Sequence, residues 1–277
     1  GNSGSGLAVK VKKFSPGGSA IWTYYNPVGI GAPLNFKFTP DNAIVISGRG
    51  ITGSVNAFAK LDLNENHIWS SPGMNSLTIG DIAGDNAGNS YIISGLYGSN
   101  TQSTVTKTNP AGTILWQSNF NLAGLRIEVG TDNLPVIAGY PNTGSFGSSF
   151  VKVNSNGTLL WANPDADSTF SLMLHAQLRM DQFNNIYLAA GTMTQMAVCK
   201  VNSNGSSGWT AVMPGGYANA IDFGNDNSIF VVGGATAGGS TGRIMQPLTP
   251  VNGNTNSVPV KNVLRNNYPN PFNPGTI

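Results

Sequence analysis

Polar side chains recur at one position along the chain, four residues before an aspartate that precedes an apolar segment. Closely paired carboxylates can hydrolyse glycosidic bonds, and a mixture of charged groups in a cavity can bind a small ligand or ion. The candidate residues are Lys37, Asp81, Glu128, Gln177 and Asp222, with Arg126, His175 and Arg179 two residues away from members of this series.

Three interpretations of this set stay open from the sequence. The charges neutralise one another in a hydrated channel, or they bind a small ligand or ion, or Asp81, Glu128 or Asp222 acts in a paired-carboxylate hydrolase. Neutralisation is favoured because the set contains both signs of charge. In that arrangement we expect Lys37 to lie between Asp81 and Asp222, and Arg126 to balance Glu128.

Other catalytic or metal-binding patterns are scarce. The chain has two histidines and one cysteine, and no H-E-x-x-H motif. A zinc site needs three or four such ligands, and the aspartate turns lack the alternating oxygen ligands and the final glutamate of a calcium loop. The sequence therefore predicts no catalytic residue, no metal site and no cofactor, and it predicts a buried, unreactive Cys199.

A repeat runs through the whole chain. Its five tryptophans follow one another at intervals of 45 to 48 residues, and a lysine stands nine residues before each, as in KTNPAGTILW and KVNSNGTLLW. A period of this length is typical of a propeller blade or of a helical repeat. The tryptophans are Trp22, Trp69, Trp116, Trp161 and Trp209, and the lysines are Lys13, Lys60, Lys107, Lys152 and Lys200.

Each repeat contains four short apolar or β-branched segments and no sustained helical period. We name them strand A, which ends at the aspartate turn, strand B, such as AIVISG, strand C, which contains the lysine, and strand D, which contains the tryptophan. The sequence therefore predicts an all-β fold, a five-bladed β-propeller of four-stranded antiparallel blades. We expect the tryptophans to be packing anchors and the lysines to be solvated on strand C.

The two ends of the repeat array are out of phase. The chain begins with a C and a D strand and ends its last repeat with an A and a B strand, so the N-terminal strands are expected to join and close the last blade. Residues 242–248 (GRIMQPL) also look like a C strand, and they either fill the last blade instead or lie outside it. The predicted organisation is a flexible segment at 1–6, the propeller at 7–250 and a linker at 251–277.

The phrase DxxGN-Y-xxG followed by K-x-x-x-x-G-x-x-x-W resembles bacterial β-propeller repeats, most closely the quinoprotein and SBBP-type propellers. The resemblance covers about residues 7 to 250. It implies a propeller fold and leaves the activity open, because propellers host many unrelated functions.

The tail of the chain resembles the opening of the C-terminal sorting domain of the type IX secretion system. This resemblance implies export through the outer membrane of a bacterium to the cell surface or medium, with the type IX export machinery as a partner. By composition, the segment before it is a Pro/Asn-rich linker. The motif residues are Tyr268, Pro269, Asn270, Pro271, Phe272, Asn273 and Pro274.

Composition narrows the classes of function. Charged residues make up 9% of the chain and the net charge is +2, which disfavours nucleic-acid binding because that needs a concentrated basic patch. No apolar segment is long enough to insert into a membrane as a helix. We therefore expect a non-catalytic binding, adhesion or self-assembly module that binds itself or a surface glycan or protein. The alternative is an extracellular enzyme that acts on polysaccharide or uses a quinone cofactor at the central channel.

Overall fold

A computed structural model describes residues 10–25, 30–50, 56–74, 78–95, 102–141, 148–167, 176–235, 238–246 and 262–263. All regular structure in these residues is β-strand, and consecutive strands pair antiparallel. The predicted N-terminal segment (1–6), His175 and the sorting motif (268–274) lie outside the described residues.

Twenty of the strands form five sheets of four, each in simple chain order, which we number 1 to 5. A separate pair, β1 (Lys10–Phe14) and β2 (Ala20–Tyr25), forms what we call the N-terminal hairpin. The five sheets are β3 (Ile30–Thr39), β4 (Ala43–Gly50), β5 (Asn56–Asp62) and β6 (His67–Met74); β7 (Thr78–Gly84), β8 (Ser90–Gly95), β9 (Ser103–Thr108) and β10 (Ile114–Phe120); β11 (Leu122–Val129), β12 (Pro135–Pro141), β13 (Ser148–Val153) and β14 (Leu159–Asp167); β15 (Gln177–Met180), β16 (Ile186–Gly191), β17 (Gln195–Val201) and β18 (Ser207–Pro214); and β19 (Tyr217–Phe223), β20 (Ile229–Ala235), β21 (Gly238–Ile244) and β22 (Asn262–Val263).

In sheets 1 to 4, the predicted A, B, C and D strands are the first to fourth strands, and in sheet 5 the predicted A and B strands are the first two. Asparagines with positive φ occupy the turn between A and B, at Asn42, Asn133, Asn184 and Asn227, because a short polar side chain tolerates the left-handed region. The B strands are largely buried, and β16 is buried along its whole length. The sequence prediction of an all-β fold of four-stranded antiparallel sheets is therefore confirmed.

The chain divides into two compact units. The first holds residues Gly1–Ser145 and Ser149–Pro164, and the second holds Phe146–Ser148 and Asp165–Ile277. Apart from the ends of β13 and β14, the N-terminal hairpin and sheets 1 to 3 belong to the first unit, and sheets 4 and 5 belong to the second.

Within each unit, neighbouring sheets pack face to face through apolar clusters. We call the face by which sheet 1 contacts sheet 2, and the corresponding face of every other sheet, the forward face, and the opposite face the backward face. The clusters join Trp22 and Tyr24 to Ile44 and Leu61, Val45 and Phe58 to Ile82 and Ile92, Tyr91 and Ile93 to Ile127 and Ile137, and, in the second unit, Tyr187 and Met196 to Ile221 and Val231.

Four of the five recurring tryptophans pack in the apolar clusters, as the sequence predicts: Trp22, Trp69, Trp116 and Trp209. The Trp22 Nε1–H donates to the Leu63 carbonyl at 3.1 Å, and the Trp116 Nε1–H donates to the Ser155 carbonyl at 2.9 Å. Both acceptors lie in the C–D turn of the following sheet. At Gly157 in that turn, a Cβ would lie 2.8 Å from the Trp116 ring, which explains why the repeat carries a glycine there.

Three of the five recurring lysines, Lys60, Lys107 and Lys152, are buried, so the prediction that the lysines are solvated is wrong for these three, whereas Lys13 and Lys200 are half-buried. Lys60 is 0% exposed, its Nζ lies 2.7 Å from Asp41 Oδ2, and it donates at 2.6 Å to the Gly88 carbonyl of sheet 2. Burial is tolerated because each ammonium meets a carboxylate of its own A–B turn. The other pairs are Lys107 with Asp85 at 3.7 Å, Lys152 with Asp132 at 2.6 Å, and Arg243 with Asp226.

The last sheet is not completed by the N-terminal strands, which corrects the predicted closure. Strand β21, from the segment left unassigned by the sequence, pairs with β20, and β22 pairs with β21. Because only two residues of the chain separate β21 from β20, the entropy cost of bringing the two strands together is small. Arg243 on β21 also reproduces the lysine–aspartate pair of the other sheets. Two residues of the predicted linker, Asn262 and Val263, form β22.

Candidate functional site

Four of the candidate polar residues meet on the A strands of sheets 1 to 3. The Lys37 ammonium on β3 donates to Asp81 Oδ2 on β7 at 3.1 Å and to Glu128 Oε2 on β11 at 3.2 Å. It also donates to the Ile127 carbonyl at 2.8 Å. One side chain therefore ties together the innermost strands of three consecutive sheets.

Asp81 is the most buried member of this cluster, with a side chain that is 6% exposed. Its Oδ1 accepts the Ile82 N–H at 2.9 Å, and its Oδ2 accepts the Ile127 N–H at 3.3 Å in addition to the Lys37 ammonium. Three donors therefore satisfy the hydrogen-bonding needs of this buried carboxyl group. Its position depends on a β-bulge, because the β7–β8 register shifts between Ile79 and Ile82.

Arg126 adds a second positive charge next to Asp81. Burial lowers the pKa of the Arg126 guanidinium, and the negative charge of Asp81 opposes that effect. Its Nη1 donates to the Leu125 carbonyl at 2.8 Å. The cluster thus contains two cations and two carboxylates. Such an arrangement orders three strands, and it holds its carboxylates in ion pairs, where they are poor general acids or nucleophiles.

The structure brings together Lys37, Asp81 and Glu128, whereas the sequence places Lys37 between Asp81 and Asp222. The reason is the direction of the Lys37 side chain, which lies on the forward face of sheet 1 and so points toward sheets 2 and 3. Asp222 lies in the second unit, is exposed, and accepts the N–H of Phe223 at 2.9 Å.

Gln177 and Arg179 lie in the second unit as well, on the short strand β15, and both are half-buried. The Arg179 guanidinium donates through Nη1 to the Leu178 carbonyl at 3.1 Å. Of the candidate series, the structure therefore groups the residues of sheets 1 to 3 into one cluster.

Cys199 is buried, as predicted. No group of three or more metal-binding side chains occurs within the described residues. The described part of the chain also holds no helix that could cross a membrane. A G-x-S-x-G pattern occurs at residues 238–242, but Ser240 lies within strand β21 rather than at the strand-to-helix turn that such a nucleophile requires.

A cleft of about 720 Å³ lies between sheets 2 and 3, away from the Lys37 cluster. Its lining is uncharged and consists of Ser118, Asn119, Phe120, Asn121, Leu122, Ser149, Phe150, Val151, Gly157, Thr158, Leu159, Ala162 and Pro164. Because no side chain there can act as an acid, a base or a charged ligand, the cleft does not add a catalytic centre to the described structure.

A second surface of interest was missed by the sequence reasoning. The N-terminal hairpin has two strands where each sheet has four, so within the described residues β1 pairs only with β2. Large apolar side chains are exposed at both ends of the sheet series, at Phe36 and Phe38 on β3 and at Phe230 and Val232 on β20. Exposed apolar patches and free strand edges mark sites of protein–protein contact.

No protein-family model and no curated protein matches this chain. Solved structures do match it at low identity. A protein of unknown function from Bacteroides caccae has a TM-score of 0.53 and 11% identity, covering 89% of this chain and 86% of the other. The Dos1 propeller has a TM-score of 0.52 and 12% identity, covering 80% of this chain and 56% of the other. Streptogramin B lyase has a TM-score of 0.53 and 11% identity, covering 86% of this chain and 70% of the other. The chain is thus similar in fold to β-propeller-type proteins.

Proposed function

We propose that the chain is a five-bladed β-propeller that acts as a non-catalytic binding, adhesion or self-assembly module. Sheets 1 to 5 are its blades. The observation that carries the proposal is the N-terminal hairpin, in which β1 presents a strand edge that no described residue pairs. A free edge is a template for strands of another chain, so self-assembly or strand addition is the function that the geometry supports best.

The composition supports association of copies. Charged residues are 9% of the chain, and the net charge is +2, so little electrostatic repulsion opposes the approach of two molecules. The exposed Phe36 and Phe38 add apolar surface that association would remove from water.

The alternative is an extracellular enzyme acting on polysaccharide or with a quinone cofactor at the central channel. It gains little support from the polar cluster, because Lys37 bonds to both Asp81 and Glu128. Streptogramin B lyase has a similar fold, but at 11% identity this likeness carries no activity over to the chain.

Self-assembly is tested by the particle size of the native protein at rising concentration. We expect light scattering to report species of at least twice the 28.8 kDa chain mass, and negative-stain microscopy to show what they look like. Removal of residues 1–13 should abolish them without unfolding the sheets. A particle that stays at 28.8 kDa at every concentration would contradict the proposal.

We also propose delivery to the cell surface or medium of a bacterium by type IX export. The support is the sequence of the tail, residues 268–274 (YPNPFNP), which resembles the start of the sorting domain of that pathway. The full-length gene product, expressed in a bacterium that has the pathway and in a strain that lacks it, should reach the surface or medium only in the first. Equal retention inside both strains would refute this route.

A further inference from the structure

The backward face of sheet 1 is only half covered. Ile44 and Ile46 on β4 are buried against the N-terminal hairpin, but Phe36 and Phe38 on the adjacent strand β3 are 62% and 67% exposed. The register places Phe36 opposite Ile46 and Phe38 opposite Ile44, so all four lie on one face. At the corresponding place in sheet 3, Ile127 is fully buried against sheet 2. Among the described residues, the N-terminal hairpin that packs on sheet 1 has no A and B strands that would cover Phe36 and Phe38.

The forward face of sheet 5 carries the matching surface. Phe230 and Val232 on β20 are each 43% exposed. The corresponding residues of sheet 2, Tyr91 and Ile93, are fully buried because they pack on sheet 3. The β19–β20 hairpin therefore displays uncovered apolar side chains at the positions through which sheet 2 contacts its neighbour.

Strand β1 offers the edge that an incoming A–B hairpin needs. In every four-stranded sheet, the C strand has the B strand on one side and the D strand on the other. Strand β1 is of the C type and carries Lys13 at the position of the recurring lysine, and among the described residues it pairs with its D neighbour β2 alone. Its burial reflects this: Phe14 is 55% exposed, whereas the C strand β13 is buried along its whole length.

Strand β21 occupies the corresponding edge of β20, with which it pairs at seven positions, and its Ile244 is fully buried in the apolar cluster of sheets 4 and 5. Three of its seven residues are glycines, which lose the most backbone freedom on ordering, and its outer neighbour β22 has two residues. Besides Ile244, its side-chain contacts include those of Arg243, which pairs with Asp226 and lies 5.2 Å from the centre of the Phe230 ring. In sheet 2, Lys107 lies in the same way 4.9 Å from the centre of the Tyr91 ring.

Building on the proposed self-assembly, we propose that the β19–β20 hairpin of one copy docks on β3 of a second copy and pairs with its β1. The released strand is β21, because β21 and the second copy's β1 would occupy the same edge. Phe230 and Val232 then cover Phe36 and Phe38. The contact joins two different surfaces, so the copies associate head to tail and extend into rings or filaments.

Charge complementarity supports a second copy of this chain as the occupant. In the exchanged sheet, Lys13 takes the place of Arg243 next to Asp226 and over Phe230, which reproduces the lysine–aspartate pair of sheets 1 to 3. Phe36, Phe38, Phe230 and Val232 are each more than 40% exposed, and β20 pairs with β21. A rise in concentration favours the second copy, because only contacts between molecules strengthen with it.

The exchanged register defines a cross-link. In sheet 5, Phe230 faces Arg243, so Lys13 in that place would put Val11 opposite Val232. We would combine Val11→Cys and Val232→Cys with Cys199→Ala and oxidise the protein at rising concentration. The expected result is a ladder of disulfide-linked oligomers on gels without reductant. Each single-cysteine variant, as the control, can form dimers at most.

A charge exchange tests the same junction without cysteines. Lys13→Asp alone puts two carboxylates together, and Asp226→Lys alone puts two ammonium groups together. Each variant should raise the apparent dissociation constant at least about tenfold. The repulsion between like charges at an interface exceeds the roughly 1.4 kcal/mol that corresponds to a tenfold change in that constant. Mixing the two variants restores opposite charges at every junction between unlike copies, so the mixture should assemble like the native protein.

The outcomes separate this inference from the proposed function. A ladder together with rescue in the mixture supports the exchange. A disulfide that stays within single chains would mean that β1 pairs with its own β20, and it overturns the inference. Native oligomers without cross-linking or rescue overturn it too, but leave self-assembly standing. A native protein that is monomeric at every concentration refutes self-assembly itself.

Discussion

Replacement of Lys37 by methionine is expected to lower the free energy of unfolding by about 3 kcal/mol, the typical cost of leaving a buried charge without its partner. Asp81 is 6% exposed at its side chain and would lose the hydrogen bond from the ammonium, while Glu128 would lose its ion pair with Lys37. The Ile127 carbonyl would lose its hydrogen bond from the ammonium as well. Urea unfolding followed by tryptophan fluorescence measures the change.

Glu128→Gln is the matched control for this change. It removes one charge from the same cluster, but the Glu128 side chain is 26% exposed and an amide oxygen still accepts a hydrogen bond from Lys37. We expect a loss of about 1 kcal/mol or less, as for pairs that water partly screens. Equal losses in both variants would show that the cluster does not tie the three strands together.

The Lys37 result also bears on function. If the cluster serves only to join sheets 1 to 3, the methionine variant should form assemblies of native size under conditions where it stays folded. Loss of assembly in a folded Lys37→Met protein would instead make the cluster part of the binding surface. The proposed head-to-tail contact would then need revision, because it places the interface on the opposite face of β3.

Replacement of Lys60 by methionine is the second large effect that we expect, again about 3 kcal/mol of lost stability. The Lys60 ammonium is 0% exposed and bonds to both Asp41 and the Gly88 carbonyl. Gly88 belongs to the A–B turn of sheet 2, so the substitution breaks a contact within sheet 1 and another between two sheets. The buried Gly88 carbonyl would lose this donor, and an unsatisfied buried acceptor lowers the free energy of unfolding.

Arg243→Met in sheet 5 is the control for Lys60→Met. Arg243 occupies the corresponding position on its own C strand, and its partner is Asp226 in the A–B turn of the same sheet. Both side chains of this pair are more than 40% exposed. An exposed ion pair contributes about 1 kcal/mol or less. A loss after Arg243→Met as large as that after Lys60→Met would contradict the view that burial sets the strength of these pairs.

The Lys60–Asp41 pair also predicts a pH dependence of stability. Burial acts to raise the pKa of Asp41, but hydrogen bonds from Lys60 and Thr39 and the charge of Lys60 together hold it below its ordinary value of 3.8. A carboxyl group with a lowered pKa in the folded state contributes stability above its unfolded pKa, and this is lost as the pH falls through the folded value. Stability should therefore decrease below about pH 4, and less steeply in Lys60→Met.

The repeat alone does not show whether its lysines are solvated or buried, and the structure shows that Lys60, Lys107 and Lys152 are buried. A lysine nine residues before a tryptophan fits a solvated strand equally well, because the sequence shows neither the next sheet nor the aspartate that folds back over strand C. In the structure, Lys60 and Asp41 are 19 residues apart in the chain, yet their charged atoms are in contact. The aspartate turn and the lysine form one ion pair in each of sheets 1 to 3, and Arg243 takes the place of the lysine in sheet 5.

The sequence by itself determined the parts of this protein that depend on neighbours in the chain. The order of strands within each sheet, the turns at Asn42 or Gly157 and the packing role of Trp116 follow from short-range patterns, since each strand pairs with the next one along the chain. Period-two alternation and turn chemistry suffice to specify such pairings.

Tertiary structure alone decided the contacts between sheets and which strands complete the last sheet. Lys37 meets Asp81 and Glu128, 44 and 91 residues away, through bulged strands whose one-residue shifts no local pattern reveals. Strand β21 pairs with β20 because it follows β20 closely in the chain, and within the described residues β1 pairs with β2 alone. Several strands of similar sequence could occupy the same position in a sheet. The strand that closes the shortest loop does so at the smallest entropy cost, and chain connectivity sets that cost.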